Sequence, residues 1–589
     1  MRAGAEEEEE AFSVRVEPEE FDVVVVGTGL VESLVAGAAA KLGKRVLHVD
    51  SEAAYGAEWA ALGLEEMADL VLRREEGGSA ASAASAGVLL SPETVLLPGG
   101  EVDVAPEVGP GPHRGFILDR APKLAHCSGA FVDTLVRSGA YRYVEFKALE
   151  GTYVWQDGVL QPVPASRTEV FRDRTLPAGD KRALMKFLKT SMEACDGALV
   201  ARGEGAASAE WEGHAPAAPM VVDPSEPFAR FLERQGLSER LRSVVMYAIA
   251  MLDDADGVGA EAGMAAVHQY LTSIGRFGAG QGAFLAPLYG VGELPQAFCR
   301  LAAVSGAVYV LRCPIHELEL EPESGRVAAV RTAAGQRITC DAVMLGRGSL
   351  GGFAADGVGE GEEEGAGDAI VSRAILVTNA SLRPEMTQLL TVFPPGSLAG
   401  SNTSAIRALQ LGSSAGVCPI GHFVIHLSTR ASAGGHEGSS SSSSSFARAD
   451  LAAAAQALVR FGDDAGEDAG EGARPRCVWS AFYRQRTCAG GAPAEARLPP
   501  NAAAGAAPDG ALGMDAAVRT AEAAFARLFP GEAFFAEEEQ ASEEAGPGVD
   551  PDEAEDEQFL YDAVKNLASN KTDGDDDAEQ REGEPPINE

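Results

Sequence analysis

"FDVVVVGTGLVESLVAGAAAKLGKRVLHVD", residues 21–50, contains the pattern that decides the fold of this 589-residue chain. Its four consecutive valines, Val23–Val26, indicate a strand that is buried on both faces. A glycine turn at Gly27–Gly29 follows, then apolar residues at helical spacing up to Gly43, and then a second apolar strand that ends at Asp50. This order, with an acid about twenty residues after the glycines, is typical of a dinucleotide-binding βαβ unit.

Glu32 breaks this pattern at the third small position of the fingerprint. Gly or Ala is required there so that the helix and the strand pack closely. A carboxylate in the first helical turn suits the helix dipole, but it would lie beside the anionic pyrophosphate that such folds hold at the same helix end. Gly27, Gly29 and Asp50 therefore predict the fold, whereas Glu32 predicts that no flavin is bound.

Composition excludes several classes of partner. The formal net charge of −40 makes duplex nucleic acid an unfavourable partner and argues against direct electrostatic binding to anionic membranes. Acidic runs at 6–10, at 360–364 and after 537 carry much of this charge and are typical of solvated, disordered segments. We see no signal peptide, no apolar run near the roughly 18 residues of a membrane helix, and no lipidation motif. A cytosolic protein is therefore expected.

The residues that most often carry chemistry are scattered. None of the eight cysteines forms a CxxC pair, which predicts reduced thiols and neither a disulfide framework nor a zinc site. The nine histidines show no metal-ligand spacing, and no GxSxG, HExxH or P-loop motif occurs. We therefore predict no catalytic residue and no metal centre.

The predicted fold class is α/β, with a flavoprotein-like, Rossmann-type composite domain and an inserted all-helical domain. Strand patterns, including the Asp-Gly hairpin of "TYVWQDGVLQPVP", occur on both sides of a helical stretch in which Asp180 and Ser238 are the predicted N-caps. The long stretch 75–112, rich in Gly, Ala, Ser and Pro, is predicted to be a loop or insertion. The predicted boundaries are a disordered acidic N-terminus at 1–20, the composite domain at 21–165 and 266–535, the helical domain at 166–265, and a disordered acidic tail at 536–589.

Seven stretches resemble, in order along the chain, the Rab escort proteins and their relatives, the Rab GDP-dissociation inhibitors. They are "FDVVVVGTGLVES", "HVDSEAAYGAEWA", "YRYVEFK", "LMKFL", "SIGRFG", "PLYGVGELPQAFCRL" and "GAVYVL". The "PLYGVGELPQAFCR" block is highly specific, whereas the GxG alone is not. The resemblance implies a dinucleotide-binding fold that is kept without a flavin, and an accessory protein with no catalytic residues of its own.

Details of these motifs favour the escort branch. "YGAEW" continues into Trp59 where inhibitors usually show "YGGES", and "FVDTLVRSGAYRYVEFK" and "VPASR" also look like the escort branch. An escort protein would bind unprenylated Rab–GDP, present it to Rab geranylgeranyltransferase and deliver the prenylated Rab to membranes. A Rab GDP-dissociation inhibitor that recycles prenylated Rabs is the alternative, and an FAD-dependent oxidoreductase is a more distant one.

The resemblance also implies a Rab-binding platform, whose motif positions carry over to Tyr55, Glu293, Arg300 and Val310. Glu293 and Arg300 are seven residues apart, close to two helical turns, so they are expected to share one helix face. Tyr and Arg are residue types that anchor interfaces. Val310 stands where the family usually has Met, a longer and more flexible side chain.

A geranylgeranyl site is expected in the inserted helical domain. Burial of each CH₂ group of such a chain is worth ~0.8 kcal/mol, so a layer of apolar helices is a suitable host. The candidates are apolar residues at helical spacing: Leu184, Leu188, Val245 and Ile249. The same spacing is also typical of the ordinary core of a helical layer, and the sequence leaves these two interpretations open.

Overall fold

The computed structural model describes residues 15–72, 96–104, 115–164, 167–172, 174, 176–202, 222–223, 226–254, 257–278, 281–347, 368–398, 402–431, 444–462, 474–488 and 498–536. The strands are β1 (Glu20–Val26), β2 (Val46–Val49), β3 (Ala61–Leu62), β4 (Leu96–Val104), β5 (Leu118–Asp119), β6 (Ala125–His126), β7 (Phe146–Ala148), β8 (Gly151–Gln156), β9 (Val159–Pro162), β10 (Phe284–Pro287), β11 (Val308–Val310), β12 (Ile315–Leu320), β13 (Val327–Thr332), β14 (Arg337–Leu345), β15 (Asp368–Thr378), β16 (Leu389–Phe393), β17 (Ile406–Gly412), β18 (Phe423–Arg430), β19 (Cys477–Cys488) and β20 (Ala502–Ala504). The α-helices are α1 (Leu30–Lys41), α2 (Leu64–Leu72), α3 (Ala130–Ser138), α4 (Arg167–Arg172), α5 (Ala178–Arg202), α6 (Phe228–Arg234), α7 (Glu239–Ser243), α8 (Ala260–Ser273), α9 (Glu293–Val304), α10 (Ser444–Leu458) and α11 (Asp515–Leu528).

The βαβ unit predicted from the opening stretch lies at the centre of the first sheet. The order of this seven-stranded sheet is β11-β2-β1-β14-β13-β12, with β20 beside β14. β1 is parallel to both β2 and β14, and β11 and β20 extend the parallel region on its two sides. The valines of β1 are buried because helices cover one face and apolar strand residues pack on the other.

The second sheet has eight strands in the order β4-β19-β15-β18-β17-β16-β8-β9. Its pairs are antiparallel except for the parallel pair β8 and β16. The predicted Asp-Gly hairpin joins β8 to β9, and both turn residues, Asp157 and Gly158, have the positive φ values that a tight two-residue turn requires. Together the two sheets and their helices confirm the α/β fold class.

The helical stretch, which comprises α4 to α8, packs against this second sheet. Phe228, Phe231 and Val245 belong to the same continuous hydrophobic core as Ile375 and Leu390 of the sheet. α7 continues into a π-helix, Val244–Ile249, an uncommon form that often occurs at functional sites. None of the helices that the structure describes combines the length and apolar character that crossing a bilayer requires.

Several predicted boundaries differ from the structure. Val16 is buried and its backbone N–H donates to Gln336 Oε1 over 2.9 Å, so ordered structure begins inside the segment 1–20. The boundary at 265 falls within α8, because the apolar face of that helix continues to Ser273. Strand β4 lies inside the stretch predicted as a loop, where pairing with β19 overrides the weak local signal. The acidic runs and the tail after 536 lie outside the described residues.

One of the two predicted helix caps is confirmed. Ser238 caps α7, and its side chain accepts a hydrogen bond from the backbone of Leu241. The predicted cap at Asp180 is wrong, because α5 begins at Ala178 and Asp180 lies in its first turn. The Asp180 carboxylate instead accepts a hydrogen bond from the Ser238 hydroxyl over 3.0 Å, which joins the starts of α5 and α7.

Candidate functional site

Glycines follow three parallel strands of the first sheet at a single edge. Each continues the hydrogen-bond ladder by one residue: Gly27 N–H donates to β2 over 2.8 Å, Gly346 N–H to β1 over 2.6 Å, and Gly505 N–H to β14 over 2.7 Å. The carboxyl edge of parallel strands is where α/β folds bind ligands. The three glycines therefore form the walls of the position that a dinucleotide cofactor would use.

The side chain of Glu32 fills this position. It is buried, and a Cβ atom placed on Gly29 or Gly505 would overlap its carboxyl group. Gly346 lies close on the third side. Burial raises the pKa of Glu32 to about 8, and the nearby carboxyl groups of Glu58 and Asp50 add to this effect. In a cofactor-binding protein, small residues leave this position open for the pyrophosphate. Here the carboxyl group of Glu32 occupies it.

Asp50, the acid that the fingerprint assigns to a ribose, is engaged within the protein. Its Oδ2 accepts hydrogen bonds from the Thr28 backbone N–H over 2.8 Å and the Thr28 hydroxyl over 2.6 Å. Its Oδ1 accepts from the Glu52 backbone N–H over 2.9 Å. Both carboxyl oxygens thus hold the glycine loop against the segment after β2. With Glu32 in the pyrophosphate position, the residues present do not fit a dinucleotide cofactor.

A second feature, the aromatic cleft, lies beside this edge. It has a volume of about 340 Å³, and its walls come from the segment after β2, from the 3₁₀ turn before β7, and from α9 and β11. Its lining residues are Tyr55, Tyr143, Glu293, Gln296, Ala297, Cys299, Arg300, Ala303 and Tyr309. Three of the four residues predicted for Rab binding, which are far apart in sequence, are therefore brought together here.

Aromatic rings set the geometry of the aromatic cleft. The guanidinium carbon of Arg300 lies 4.9 Å from the centre of the Tyr143 ring, a cation–π contact that holds a long, exposed side chain in place. On the other wall, the Tyr55 and Tyr309 rings meet edge to face with centres 6.1 Å apart. The His48 ring lies beneath Tyr309 at 4.8 Å. The cleft therefore presents charged groups on a stiff aromatic frame.

Glu293 and Arg300 are available to a partner. They lie on one face of α9 as their spacing predicts, and within the described part of the chain the side chain of neither forms a hydrogen bond or an ion pair. Partial burial raises the pKa of Glu293. The Glu293 carboxylate can therefore accept, and the Arg300 guanidinium can donate, hydrogen bonds to a partner that enters the same cleft.

Val310 is not part of the aromatic cleft. Successive residues of a strand point to opposite faces, so Tyr309 faces α9 while Val310 packs, half-buried, with the apolar residues on the other face of the sheet. Its backbone carbonyl accepts a hydrogen bond from Asp50 N–H over 3.1 Å. The prediction that Val310 belongs to this site is therefore wrong for the cleft itself, which is lined by the adjacent Tyr309.

The helical stretch contains two adjacent cavities. The smaller, which we call the helical cavity, has about 290 Å³ and is lined by apolar residues with one lysine: Pro164, Val170, Met185, Leu188, Lys189, Met192, Ile249, Tyr270, Leu271 and Ile274. The larger, the sheet cavity, has about 390 Å³, lies toward β8 and β10, and shares Pro164 and Tyr270 with the first. An apolar chain that entered one cavity would therefore reach the wall of the other.

The four candidate lipid-site residues divide between cavity and core. Leu188 and Ile249 line the helical cavity. Leu184 and Val245 are buried in the hydrophobic core behind it and line neither cavity. Helical spacing correctly identifies apolar faces, but it cannot tell which part of a face meets a neighbour and which part meets open space.

The described residues show no group of His, Cys, Asp and Glu that could hold a metal ion. Six cysteines are buried thiols outside any disulfide: Cys127, Cys299, Cys313, Cys340, Cys418 and Cys477. Cys299, beside the aromatic cleft, has a pKa raised by burial to about 11, and its Sγ lies 3.3 Å from the Ser33 hydroxyl. Such a thiol is a poor nucleophile at neutral pH.

Sequence reasoning missed Tyr143 and Tyr309 as cleft residues. Both lie within stretches that carry the family resemblance, "YRYVEFK" and "GAVYVL". Their role depends on the approach of the 3₁₀ turn Ala140–Tyr143 to α9 and on the strand alternation of β11. The only sequence signal was their aromatic character inside otherwise recognisable motifs.

Comparisons with known proteins agree with these features. The family model described as GDP dissociation inhibitor matches residues 17–105 and 98–349, and the model described as RAE1/2 domain I, C-terminal region, matches residues 371–510. Rab escort protein 1 of Arabidopsis thaliana is 31% identical over 568 residues, which cover 90% of this chain and 96% of that protein. The Rab proteins geranylgeranyltransferase component A of Drosophila melanogaster is 31% identical over 431 residues, 70% of this chain and 75% of that protein.

A solved structure supports the fold. The crystal structure of Rab GDI from Plasmodium falciparum superposes with a TM-score of 0.59 and covers 87% of this chain and 98% of that one. At 17% sequence identity, this likeness concerns the fold alone.

We predict that the stability cost of Glu32 depends on pH. Its folded-state pKa of about 8 lies above the ordinary value of 4.5, so between these values the folded chain retains a proton that the unfolded chain has lost. Raising the pH through this window therefore destabilises the native protein, and Glu32→Gln removes that loss. Relative to the native chain, the unfolding free energy of Glu32→Gln should rise by on the order of 3 kcal/mol between about pH 5.5 and pH 8.

Urea unfolding at several pH values measures this difference. Glu532→Gln, which changes an exposed carboxylate, is the matched control and should follow the native chain at every pH. If the curves of Glu32→Gln and the native protein run parallel across the window, Glu32 is not held as a neutral carboxyl group.

Proposed function

The chain belongs to the GDP dissociation inhibitor family, in the branch of the Rab escort proteins, and from that premise we propose that it is itself a Rab escort protein. It binds unprenylated Rab in the GDP-bound state, presents it to Rab geranylgeranyltransferase, and delivers the prenylated Rab to membranes. The observation that carries the proposal is the aromatic cleft, in which the side chains of Glu293 and Arg300 form no hydrogen bond or ion pair with any described residue. The proposed location is the cytosol, with transient membrane contact.

The proposed Rab platform consists of Tyr55, Tyr143, Glu293, Arg300 and Tyr309. Tyr and Arg dominate the energetics of protein interfaces because they combine large contact areas with directional hydrogen bonds. Arg300 is held by Tyr143 and Tyr55 by Tyr309, so less side-chain entropy is lost when a partner binds. Val310 contributes indirectly, because it fixes the strand that presents Tyr309.

The helical cavity is the proposed host of the geranylgeranyl chain. Leu188 and Ile249 lie on two different helices that face it, and the adjoining sheet cavity continues the space beyond Tyr270. Each CH₂ group that leaves water for such a site contributes ~0.8 kcal/mol, so even partial entry of a long isoprenoid would stabilise the complex considerably. The stretch 166–265, together with the rest of α8, thus becomes the proposed lipid-holding domain.

We propose that the protein has no catalytic step and no flavin of its own. Glu32 and Asp50 are both engaged at the edge where a dinucleotide would bind. An escort protein needs neither group, because the transferase carries out the chemistry. Purified protein should therefore release no flavin when it is denatured, and a stoichiometric flavin absorbance would contradict this proposal.

A dissociation inhibitor is the second candidate, since the family model that matches residues 17–105 and 98–349 carries that description. An inhibitor extracts Rabs that are already prenylated and does not support prenylation. The match of residues 371–510 to the RAE1/2 model favours the escort protein. The two functions predict opposite outcomes in a reconstituted prenylation reaction.

That reaction is the decisive test. Unprenylated Rab–GDP is mixed with geranylgeranyl diphosphate and a Rab geranylgeranyltransferase that lacks any escort subunit. We expect lipid transfer to the Rab C-terminal cysteines only when this protein is added, because binding raises the effective concentration of the Rab tail at the transferase. Absence of transfer, combined with extraction of prenylated Rab from membranes, would identify an inhibitor.

Arg300→Ala should weaken Rab–GDP binding by about 1–3 kcal/mol without changing the melting temperature, because Arg300 is exposed and anchors no core contact. Tyr143→Leu should reproduce part of this loss, and Tyr143→Phe, which keeps the ring, should retain most of the affinity. The double variant Arg300→Ala/Tyr143→Leu should lose little more than Arg300→Ala alone.

Titration calorimetry with Rab–GDP measures the affinities of the native protein, the two single variants and the double variant. Arg519→Ala, which changes an exposed arginine elsewhere, is the control. Strictly additive losses would show that Tyr143 contacts Rab independently and does not position Arg300. Unchanged affinity in folded Arg300→Ala would remove α9 from the platform.

Leu188→Trp should fill part of the helical cavity and reduce retention of a prenylated Rab, while binding of unprenylated Rab–GDP stays unchanged. Exclusion of two or three CH₂ groups corresponds to about 2 kcal/mol, or about a 30-fold weaker complex with the prenylated form. Val159→Trp, at the exposed hairpin turn, is the control. Equal loss for both Rab forms would place the isoprenoid elsewhere.

A further inference from the structure

A segment of the helical stretch departs from regular helix geometry. Hydrogen bonds of the π-helix Val244–Ile249 span five residues and not four, and the Ala250 N–H donates to the Val245 carbonyl in this way over 2.8 Å. Met251 then adopts a φ of 56°, in the left-handed region that residues other than glycine rarely occupy. Two unfavourable conformations in succession persist only where the surrounding contacts fix them.

Arg407 supplies these contacts from the second sheet. It lies in β17, opposite Val392 of the core that the sheet shares with the helical stretch, and its side chain is 3% exposed. One terminal nitrogen donates to Asp253 Oδ1 over 2.5 Å, and the other donates to the Met251 and Leu252 carbonyls over 2.6 and 2.8 Å. One guanidinium group thus holds three consecutive residues that follow the π-helix. We call Arg407 with residues 251–253 the arginine clamp.

The chemistry of the arginine clamp requires a guanidinium group. Its five donors lie in one rigid plane, so Arg407 can reach a carboxylate and two carbonyls at the same time. A lysine ammonium group is a compact charge on a flexible stem and does not reproduce this fork. The backbone adds one more contact, because the Ala405 N–H donates to the Asp253 carbonyl over 2.7 Å.

The arginine clamp adjoins the wall of the helical cavity. Ile249 lines that cavity, ends the π-helix and lies two residues before Met251. Conversion of a π turn into an α turn would rotate the residues on one side of it relative to those on the other by about 100°. The place of Ile249 on the cavity wall therefore depends on the π conformation and on the contacts that fix its end.

We propose that Arg407 is a positioning residue for the isoprenoid. Through residues 251–253 it keeps the π-helix in place and Ile249 on the wall of the helical cavity. Arg407 lines neither the helical nor the sheet cavity, so it acts on a bound chain only through the segment that it holds. This role rests on the proposed function, which assigns an isoprenoid to the helical cavity.

The test measures how the full chain, without Rab, binds a fluorescent peptide that ends in S-geranylgeranyl cysteine. Arg407→Met, which keeps an apolar stem but no donor, should weaken peptide binding about 10-fold, a loss that corresponds to the exposure of about two CH₂ groups. Arg407→Lys should restore little of this loss. Binding of unprenylated Rab–GDP should stay unchanged in both variants, because the aromatic cleft lies elsewhere.

Hydrogen exchange reports the conformation of the segment directly. The Ala250 and Leu252 amides, which donate to the Val245 and Met246 carbonyls, should exchange faster in Arg407→Met than in the native chain. A role of Arg407 confined to the stability of the second sheet would leave the exchange of these amides unchanged.

Two substitutions at Met251 test the same segment and leave the guanidinium group in place. Glycine adopts a positive φ without strain, so Met251→Gly should bind the peptide as the native chain does. Met251→Val places a β-branched side chain at that φ and should reproduce the loss. Arg430→Met is the matched control, because Arg430 pairs with the neighbouring Asp254 at the surface over 3.1 Å and should leave peptide binding unchanged.

Native peptide affinity in whichever of Arg407→Met and Met251→Val folds would overturn the proposal, as would an equal loss for the peptide and for unprenylated Rab–GDP. A native chain that does not bind the peptide would contradict both the lipid site and the role of Arg407. Intact peptide binding by a chain that does not support lipid transfer would contradict the escort function alone.

Discussion

The parallel arrangement of five strands is the constraint on which the rest of the molecule depends. β20, β14, β1, β2 and β11 all run in one direction, so their carboxyl ends meet at one edge. In a cofactor-binding protein this edge is an open crevice. Here Glu32 fills the crevice between Gly29, Gly346 and Gly505, and Asp50 is bound within its own loop. This edge is therefore part of the core, and the proposed binding surface lies on the neighbouring α9 and β11.

The proposed Rab platform and the proposed lipid site are separated in space but share one scaffold. The aromatic cleft uses the first sheet, its α9 and a 3₁₀ turn, while the helical and sheet cavities lie where the helical stretch meets the second sheet. β10 lies between these regions, because it pairs with β7 just after that turn and ends shortly before α9. A chain with this layout can bind a folded protein through polar and aromatic anchors and hold an apolar chain elsewhere, so neither site must serve both chemistries.

Much of the fold could be predicted, because local patterns and long-range packing agree there. The valines of β1, the glycine turn, the Asp-Gly hairpin and the Ser238 cap all adopt the structures that their sequences favour. Prediction failed where a partner far along the chain decides. β4 forms because it pairs with β19. The Asp180 carboxylate lies in the first turn of α5, where it accepts a hydrogen bond from the Ser238 hydroxyl instead of capping the helix. Only half of the proposed lipid-site residues line a cavity, since Leu184 and Val245 meet neighbours that the sequence does not reveal.

The sequence by itself determined the βαβ unit, the unsuitability of Glu32 beside a pyrophosphate, and the shared helix face of Glu293 and Arg300, because each depends on spacing within a single motif. Only the tertiary structure decided that Tyr143 supports Arg300, that Tyr309 and not Val310 faces the cleft, and that Leu188 and Ile249 line a cavity while Leu184 and Val245 do not. The choice of strand face that meets a helix, the approach of that helix, and the space left between elements are properties of packing. They arise from contacts between segments that lie tens to hundreds of residues apart, and no local pattern encodes them.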